Sequence, residues 1–333
     1  MVDVAQPLPK RAASAAPAAS VVLGLAALGA LLHLTDPGRI AAAQNFLLVF
    51  SSLLIEAVPF VLLGALVSAL IEVFVPVSVF EKLTGLPRPL QLPASALAGF
   101  AFPVCECGSV PVARRLAAKG LAPSAAITFM LAAPILNPVV IASTFIAYRG
   151  RESLWAMVLG RSALGLLAAV AVGWVIGSRT GSEVLRARPG SGGGHTHSGG
   201  SRWGAFFGHL SGDFVFMGRY LVLGAAVAAA LQTFVPQTVI GSIAGAPVIS
   251  LLAMMGLAFL LSLCSESDAF VAASFVQFGV GAQLAFLVFG PMVDTKLGFL
   301  YSATFSKGFF RVVVVTVAAV TLVGALWIEV VVG

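Results

Sequence analysis

The sequence predicts an all-α polytopic membrane protein with about eight or nine transmembrane segments. Of its 333 residues, 59% are hydrophobic and only 10% are charged, whereas a soluble domain carries about 25% charged residues. Apolar runs long enough to cross a bilayer, about 20 residues each, fill most of the chain. Thiols, acids and prolines interrupt these runs at matching places in two halves. This pattern predicts two pseudo-symmetric repeats with broken or re-entrant motif helices.

Nine apolar runs follow one another along the chain. The first is short, and it is either an extra span or an uncleaved signal-anchor. Pro59 lies inside the second run, where it would kink a helix. The runs are residues 20–34, 41–75, 93–118, 122–147, 153–177, 205–235, 247–277, 281–305 and 307–331.

A stretch rich in Gly, Ser and Arg, residues 178–204, divides the chain. Its composition is that of a flexible, solvated linker, and its arginines place it in the cytoplasm by the positive-inside rule. We therefore expect an N-terminal tail, with or without an extra span, at 1–40. A first transmembrane repeat at 41–177 and a second at 205–333 would follow.

Residues 59–87 align with residues 219–247 at a constant shift of 160, and the later motifs match at shifts of 159 and 157. Paired glycines and prolines carry most weight in this alignment because they set the shape of the backbone. Four full crossings per repeat would make the repeats parallel, whereas a re-entrant motif segment would make them inverted, and the sequence leaves both open. The pairs are Gly64 with Gly224, Pro76 with Pro236, and Pro87 with Pro247.

Three cysteines lie within the apolar runs. Cys105 and Cys107 flank Glu106, and Cys264 falls at the equivalent place in the second half. Thiolates suit soft metal ions and metalloids, although residues two apart face one site only where the helix is broken. The alternative is that these cysteines are small buried hydrophobes. The repeated arrangement favours three ligands for a soft metal or metalloid that is carried as substrate.

Acidic residues at membrane depth need a cation, a proton or a substrate as partner. A desolvated carboxylate binds a proton readily, so these acids are candidates for proton coupling, with a structural ion pair as the alternative. The candidates are Glu56, Glu106, Glu266, Asp268 and Asp294.

Two Pro-x-x-Asn/Asp steps stand at matching places in the halves. A proline in mid-span frees backbone carbonyls, which is tolerated where they line a polar cavity, and a packing kink is the alternative. Lys296 is the candidate counter-ion of Asp294, and that pair would be a charge switch. The predicted substrate site comprises Cys105, Glu106, Cys107, Ser109, Pro134, Asn137, Cys264, Glu266, Asp268, Pro291, Asp294 and Lys296.

These motifs together resemble the bacterial predicted-permease family that contains the ArsP-type organoarsenical efflux permeases and the YraQ-like proteins. The resemblance rests on residues 102–113, 133–138, 263–272 and 290–296 and covers about residues 41–331. It implies a multi-pass permease of the bacterial cytoplasmic (inner) membrane. Characterised arsenic members extrude trivalent methylated or aromatic arsenicals, with membrane cysteines implicated. Here Glu106 adds a charge to the cysteine motif.

The sequence therefore predicts a secondary permease rather than an enzyme. It would export a soft metal ion or a trivalent (organo)arsenical through a central Cys/acid site, in exchange for protons. The expected partners are the lipid bilayer, the small inorganic or organometalloid substrate, and a second copy or a partner subunit. We expect no cofactor, and no basic patch with interleaved aromatics indicates nucleic acid. The alternatives are a membrane thiol redox or electron-transfer subunit and a channel-like subunit of a larger complex.

Overall fold

The fold is seen in a computed structural model of the chain. The structure describes residues 41–75, 85, 87–101, 104–177, 181–186, 202–234 and 247–332. The predicted run 20–34, the linker residues 187–201 and the pair Pro76 and Pro236 lie outside these residues. The chain divides into two compact units, Met1–Asn45 and Phe46–Gly333. The helix packing and the candidate site both belong to the second unit.

Within the described ranges the secondary structure is helical, apart from one isolated β-bridge between Leu185 and Phe305. The all-α prediction is therefore confirmed for this part of the chain. The helices are α1 (Ala41–Phe74), α2 (Arg88–Ala101), α3 (Glu106–Ala118), α4 (Pro123–Leu136), α5 (Pro138–Ala147), α6 (Leu154–Ile176), α7 (Gly181–Val184), α8 (Arg202–Phe234), α9 (Pro247–Leu261), α10 (Asp268–Ser274), α11 (Val280–Phe289), α12 (Thr295–Thr304) and α13 (Lys307–Val332).

Among the described residues, five helical stretches are long and apolar enough to cross a membrane. α9 and α11 add two shorter apolar helices. These helices support a multi-pass membrane protein, whereas the count of eight or nine spans stays a prediction. The five stretches are Ala42–Phe74, Pro123–Ala147, Leu154–Ile176, Arg202–Thr233 and Gly308–Val331.

Four of the predicted runs are each divided into two helices, and each break falls at a motif. The breaks lie before Glu106, at Asn137, at residues 262–267 and at residues 290–294. Ser262 leaves α9 with a positive φ of 47°, an uncommon conformation for a residue with a side chain. In contrast, α1 continues through Pro59 without a break.

Two sets of three helices form the core. In the first set α2, α4 and α6 pack against one another, and in the second α9, α11 and α13 do the same. Helix α6 contacts both α11 and α13 and so joins the two sets. Close approach depends on glycines, since a Cβ at Gly99 of α2 would lie 2.7 Å from the Cα of Ala133 in α4.

The long helices α1 and α8 run antiparallel. Ser68, near the end of α1, donates a hydrogen bond of 2.9 Å to Asp213, near the start of α8. At the other end of the pair, Phe50 and Leu53 belong to one apolar cluster with Ala228 and its neighbours. The pairing of late residues with early ones fixes the antiparallel direction.

Charged side chains join α1, α3 and α8 at one end of the molecule, which we name the Lys119 end. Arg115 donates to Asp213 at 2.9 Å and lies 3.5 Å from the Glu72 carboxylate. Lys119 donates to the backbone carbonyls of Ile71, Glu72 and Val75 at 2.8, 2.6 and 2.8 Å. Those carbonyls end α1 and carry partial negative charge, so the ammonium group caps that helix.

A second set of polar contacts lies where α5 ends, and we name it the Tyr148 end. The Tyr148 hydroxyl donates to Gln283 at 2.7 Å, which ties the end of α5 to α11. Arg151 donates to the carbonyl of Ala273 in α10 at 2.8 Å. Because α4 and α5 together form one candidate span, the Tyr148 end is opposite the Lys119 end, near which α4 begins.

Gly64→Ala tests the close approach of α1 to α3. The new Cβ would overlap the backbone of Gly108, so we expect a loss of about 1–3 kcal/mol, the usual cost of overpacking. Thermal unfolding in detergent, followed by size-exclusion chromatography, measures the loss. The matched control is Gly208→Ala, where a Cβ meets nothing within 4 Å. Equal stability of the two variants would contradict the close packing of α1 against α3 at Gly64 and Gly108.

Candidate functional site

The three cysteine thiols meet in the interior. Cys105 is the N-cap of α3 with an extended backbone (φ −73°, ψ 176°), and Cys264 lies in the loop between α9 and α10. The Cys105 thiol lies near enough to Cys107 and Cys264 for the three groups to interact electrostatically. All three are free and buried. The break before α3 therefore lets two residues from one half share a site with the third from the other half.

Glu106 brings a carboxylate of the first half to the loop of the second. Its Oε2 accepts a hydrogen bond of 3.0 Å from Ser265 and lies 4.0 Å from the Cys264 sulfur. The Cys264 thiol donates to Glu266 Oε2 at 2.6 Å. One ligand atom each from Glu106, Cys264 and Glu266 lie within 4.8 Å of one another. This spacing suits a single metal ion.

Lys296 lies between two carboxylates in the same buried region. Its Nζ is 3.9 Å from Glu106 Oε1 and 3.9 Å from Asp294 Oδ2. Asp294 Oδ1 accepts a bond of 2.6 Å from the Leu297 amide and so caps α12. Its Oδ2 has no hydrogen-bond partner. One oxygen of Asp294 thus caps α12, and the other lies near the ammonium group of Lys296.

Arg161, on α6, holds the second motif loop in place. It donates to Asp268 Oδ2 at 2.8 Å, to the Ser265 carbonyl at 3.2 Å and to the Thr144 hydroxyl at 2.9 Å. Arg161 is only 1% exposed. This ion pair ties α6 to the start of α10, next to the loop that carries Cys264. The predicted part of Asp268 in substrate or proton binding stays a prediction.

Four of the predicted site residues make local contacts. Ser109 donates to the carbonyl of Glu106 at 3.0 Å, and Asn137 accepts from the Val139 amide at 2.9 Å and so caps α5. Pro134 lies inside α4, and Pro291 lies in the turn after α11. Asn137 and Pro291 thus lie at helix breaks, whereas Ser109 and Pro134 lie within helices. Their contact with a substrate stays a prediction.

Glu56 marks the less buried edge of the site. Its Oε1 accepts a hydrogen bond of 2.9 Å from Ser267, in the second motif loop. Glu56, Glu266 and Ser267 are partly exposed, whereas Glu106 and Asp294 are buried. The arrangement opens towards the α1 side of the motif loop and is closed around Lys296.

Some site residues were not identified from the sequence. Ser265 donates a hydrogen bond to Glu106. The Ser262 hydroxyl accepts a hydrogen bond of 3.1 Å from the Thr295 amide, which joins the end of α9 to the start of α12. A short hydroxyl side chain carries no distinctive pattern in an apolar run. Arg161 did give a signal, since a lone arginine within a span needs an acidic partner.

Carboxyl groups outnumber cationic groups in this region. Glu106 and Asp294 flank the Lys296 ammonium group, Glu266 lies beside Glu106 and Cys264, and Asp268 is paired with Arg161. Uncompensated carboxylates are costly away from water. The cluster as a whole is therefore suited to take up protons or a bound cation.

An apolar groove of about 480 Å³ lies elsewhere, beside α5. Its lining offers no acid, thiol or amine that could hold a charged substrate. The buried cluster, rather than this groove, is the candidate site. The groove is lined by Phe100, Pro138, Ile141, Ala142, Phe145, Ile146, Trp155 and Val158.

The long apolar helices and the buried polar cluster define a multi-pass membrane transporter. The chain belongs to the ArsP_1 family of predicted permeases, which matches residues 42–330. Permeases are transporters rather than enzymes, as the sequence predicted.

Two curated relatives agree with this assignment. "UPF0718 protein YcgR" of Bacillus subtilis (strain 168) is 40% identical over 285 residues, which is 84% of this chain and 96% of the relative. "Putative two-component membrane permease complex subunit" of Streptococcus mutans serotype c (strain ATCC 700610 / UA159) is 37% identical over 254 residues, 75% of this chain and 83% of the relative. No solved structure matches the chain.

Arg161→Leu tests the role of the buried ion pair. It would leave Asp268 as an uncompensated buried charge, so we expect a loss of about 3–5 kcal/mol. Adding Asp268→Asn to the same chain removes that charge and should recover most of the loss. Thermal unfolding of the purified proteins in detergent measures both. A double variant as unstable as the single one would show that Asp268 is not the group that Arg161 compensates.

Proposed function

We propose that this permease is a secondary transporter of the bacterial inner membrane. It exports a thiophilic substrate, a soft metal ion or a trivalent (organo)arsenical, through the buried thiol–carboxylate cluster. The observation that carries the proposal is the cluster of Cys264 with Glu106 and Glu266, whose ligand atoms lie within 4.8 Å of one another, with Cys105 and Cys107 on either side of Glu106 in the chain.

The chemistry of the cluster supports a thiophilic substrate. Sulfur ligands select soft ions over the hard Mg²⁺ and Ca²⁺, which prefer oxygen. Three thiols with adjacent carboxylates can take a soft ion out of water without leaving it short of ligands. A cluster of small hydrophobic cysteines would not need Glu106 and Glu266 beside it.

The excess of carboxyl groups supports exchange with protons. When the substrate leaves, the cluster keeps more carboxyl groups than the one Lys296 ammonium group can compensate, and Glu106 and Asp294 among them are buried. Protons taken up at that stage would compensate the remaining carboxylates during the return of the empty site. The absence of a P-loop motif from the sequence fits a transporter driven by a gradient rather than by bound ATP.

The packing supports inverted repeats, with the site between them. α1 and α8 occupy equivalent places in the alignment at a shift of 160 residues, and the two helices run antiparallel. Each half then has a long helix, a motif segment broken at a cysteine, a span broken at Asn137 or Asp294, and a final helix. Central sites built from broken helices at the interface of inverted repeats are typical of alternating-access transporters.

The distribution of basic residues gives the orientation. The Lys119 end carries Arg114, Arg115 and Lys119, and Arg186 hydrogen-bonds there to the end of α12. The Tyr148 end carries Arg149 and Arg151. By the positive-inside rule the Lys119 end faces the cytoplasm, together with the linker 178–204.

The name of the Streptococcus mutans relative supports a partner subunit. A partner would join the permease in the membrane, and the thiol cluster would remain the site of transport. Affinity purification of the chain from its native membrane, followed by mass spectrometry, tests this. Recovery of the chain alone, fully active in proteoliposomes, would contradict it.

Replacing all three cysteines by serine tests the thiol cluster. Uptake of Cd²⁺ or phenylarsine oxide into everted vesicles should fall at least about ten-fold, because a loss of only 1.4 kcal/mol of interaction has that effect. Uptake by the unaltered protein should also fall when a protonophore removes the proton gradient. Unaltered uptake of both probes by the serine variant would refute thiol ligation.

Glu152→Gln is the matched control for that experiment. Glu152 is an exposed acid at the Tyr148 end, outside the cluster, so its neutralisation should leave uptake unchanged. Western blotting of the vesicles must show equal amounts of each protein, since a triple variant that is missing from the membrane gives no information on ligands.

A further inference from the structure

Lys296 is unusual among the groups of the site because an ammonium group cannot bind a cation. It is nevertheless buried, at 3% exposed, in the middle of the carboxylates. It lies on α12 of the second half, and one of its two partners, Glu106, lies on α3 of the first half. The ion pair therefore crosses the interface between the halves.

The two ion-pair distances show that the ammonium group is shared. Both are 3.9 Å, whereas a charge-assisted hydrogen bond is about 2.7–2.9 Å long. Lysine carries its compact charge on a flexible four-carbon stem. Nζ can therefore approach Glu106 or Asp294 without a change in the backbone.

The backbone of Lys296, in contrast, is held firmly. A Cβ on Gly224 of α8 would lie only 2.9 Å from the Lys296 Cα, so the two helices touch there. Asp294, two residues earlier, caps the same helix. The end of the side chain, in contrast, lies between one carboxylate at the start of its own helix and one across the interface.

Glu106 belongs both to this ion pair and to the proposed metal cluster with Cys264 and Glu266. A cation bound at that cluster would repel the ammonium group and move it towards Asp294. After the cation leaves, the ammonium group can return to Glu106 and replace the lost positive charge. A neutral arsenical would bring no such charge and would leave the Lys296–Glu106 pair in place.

We propose that Lys296 is a tethered counter-cation, which takes the place of a departed cationic substrate at Glu106. Its positive charge allows the empty permease to return to the state that is open to the other face of the membrane. The inference rests on the proposed function and narrows the substrate to a soft cation. It separates two kinds of transport: net export requires the return of an empty site, whereas exchange of substrate for substrate does not.

Lys296→Gln in proteoliposomes with Cd²⁺ as the probe tests this separation. Net Cd²⁺ export should fall at least about ten-fold while Cd²⁺/Cd²⁺ exchange falls less than about three-fold, since only the empty state loses a compensating charge. Lys296→Arg keeps the charge and should keep net export. Equal losses in both modes, or unchanged net export by Lys296→Gln, would overturn the proposal.

The double variant Asp294→Asn/Lys296→Gln separates the two partners of the ammonium group. If Lys296 only compensates Asp294, removing both charges restores net export, and the proposal fails. If it serves Glu106, the double variant stays defective in net export and keeps exchange. Glu152→Gln again serves as the control for a change of charge outside the site.

A binding measurement distinguishes failure of this inference from failure of the proposed function. Purified Lys296→Gln should bind Cd²⁺ several-fold more tightly than the unaltered protein, measured by the ultraviolet absorbance of Cd²⁺–thiolate bonds, because the competing cation is gone. Binding of phenylarsine oxide should not change. Absence of both Cd²⁺ and phenylarsine oxide transport in the unaltered protein would overturn the proposed function. Transport of phenylarsine oxide alone would overturn the narrowing to a soft cation, and unchanged Cd²⁺ affinity would overturn the role of Lys296.

Discussion

The structure depends on one constraint: charged groups away from water must be compensated by the protein itself. Glu106 meets this constraint with Ser265, Cys264 and Lys296, all from the other half of the chain. The Arg161–Asp268 ion pair also joins the two halves, but here the cation lies in the first half and the carboxylate in the second. Neither half can bury its polar residues alone, so the interface of the halves and the site are the same region.

The helix breaks follow from that requirement. An intact helix has no free backbone groups in its interior, and it cannot direct residues two apart to one point. Asn137 and Asp294 each satisfy an amide at the start of the helix that follows. The Pro-x-x-Asn/Asp steps are therefore helix caps first. Asp294 differs because a carboxylate has a second oxygen, and that oxygen remains available to Lys296.

Hydrophobic runs predicted the helix ends well, because a long apolar helix begins and ends where the apolar run does. The run 153–177, for example, became α6, Leu154–Ile176. The matching of Cys105 with Cys264 predicts that the two motifs lie together, and Cys264 lies 4.0 Å from Glu106, the residue that follows Cys105. The sequence could not assign partners: Arg161 and Asp268 are 107 residues apart, and helical periodicity carries no information about which side chain lies opposite across an interface. The sequence predicts Asp268 and Asn137 as substrate ligands, but it gives no information on their contacts with Arg161 and with the Val139 amide.

In the predicted repeat alignment the two halves match in several glycines and prolines but differ in charge. At the alignment that places Asn137 opposite Asp294, Val139 falls opposite Lys296, so the acid and the ammonium group are present in one half only. In a transporter built from inverted repeats, the two access states arise when the halves exchange conformations. Identical halves would give two states of equal affinity. The charges at Asp294 and Lys296 remove that equality, because the ammonium group approaches Glu106 from one side only. Under the proposed alternating access, this asymmetry would give the site a different cation affinity in each of its two open states.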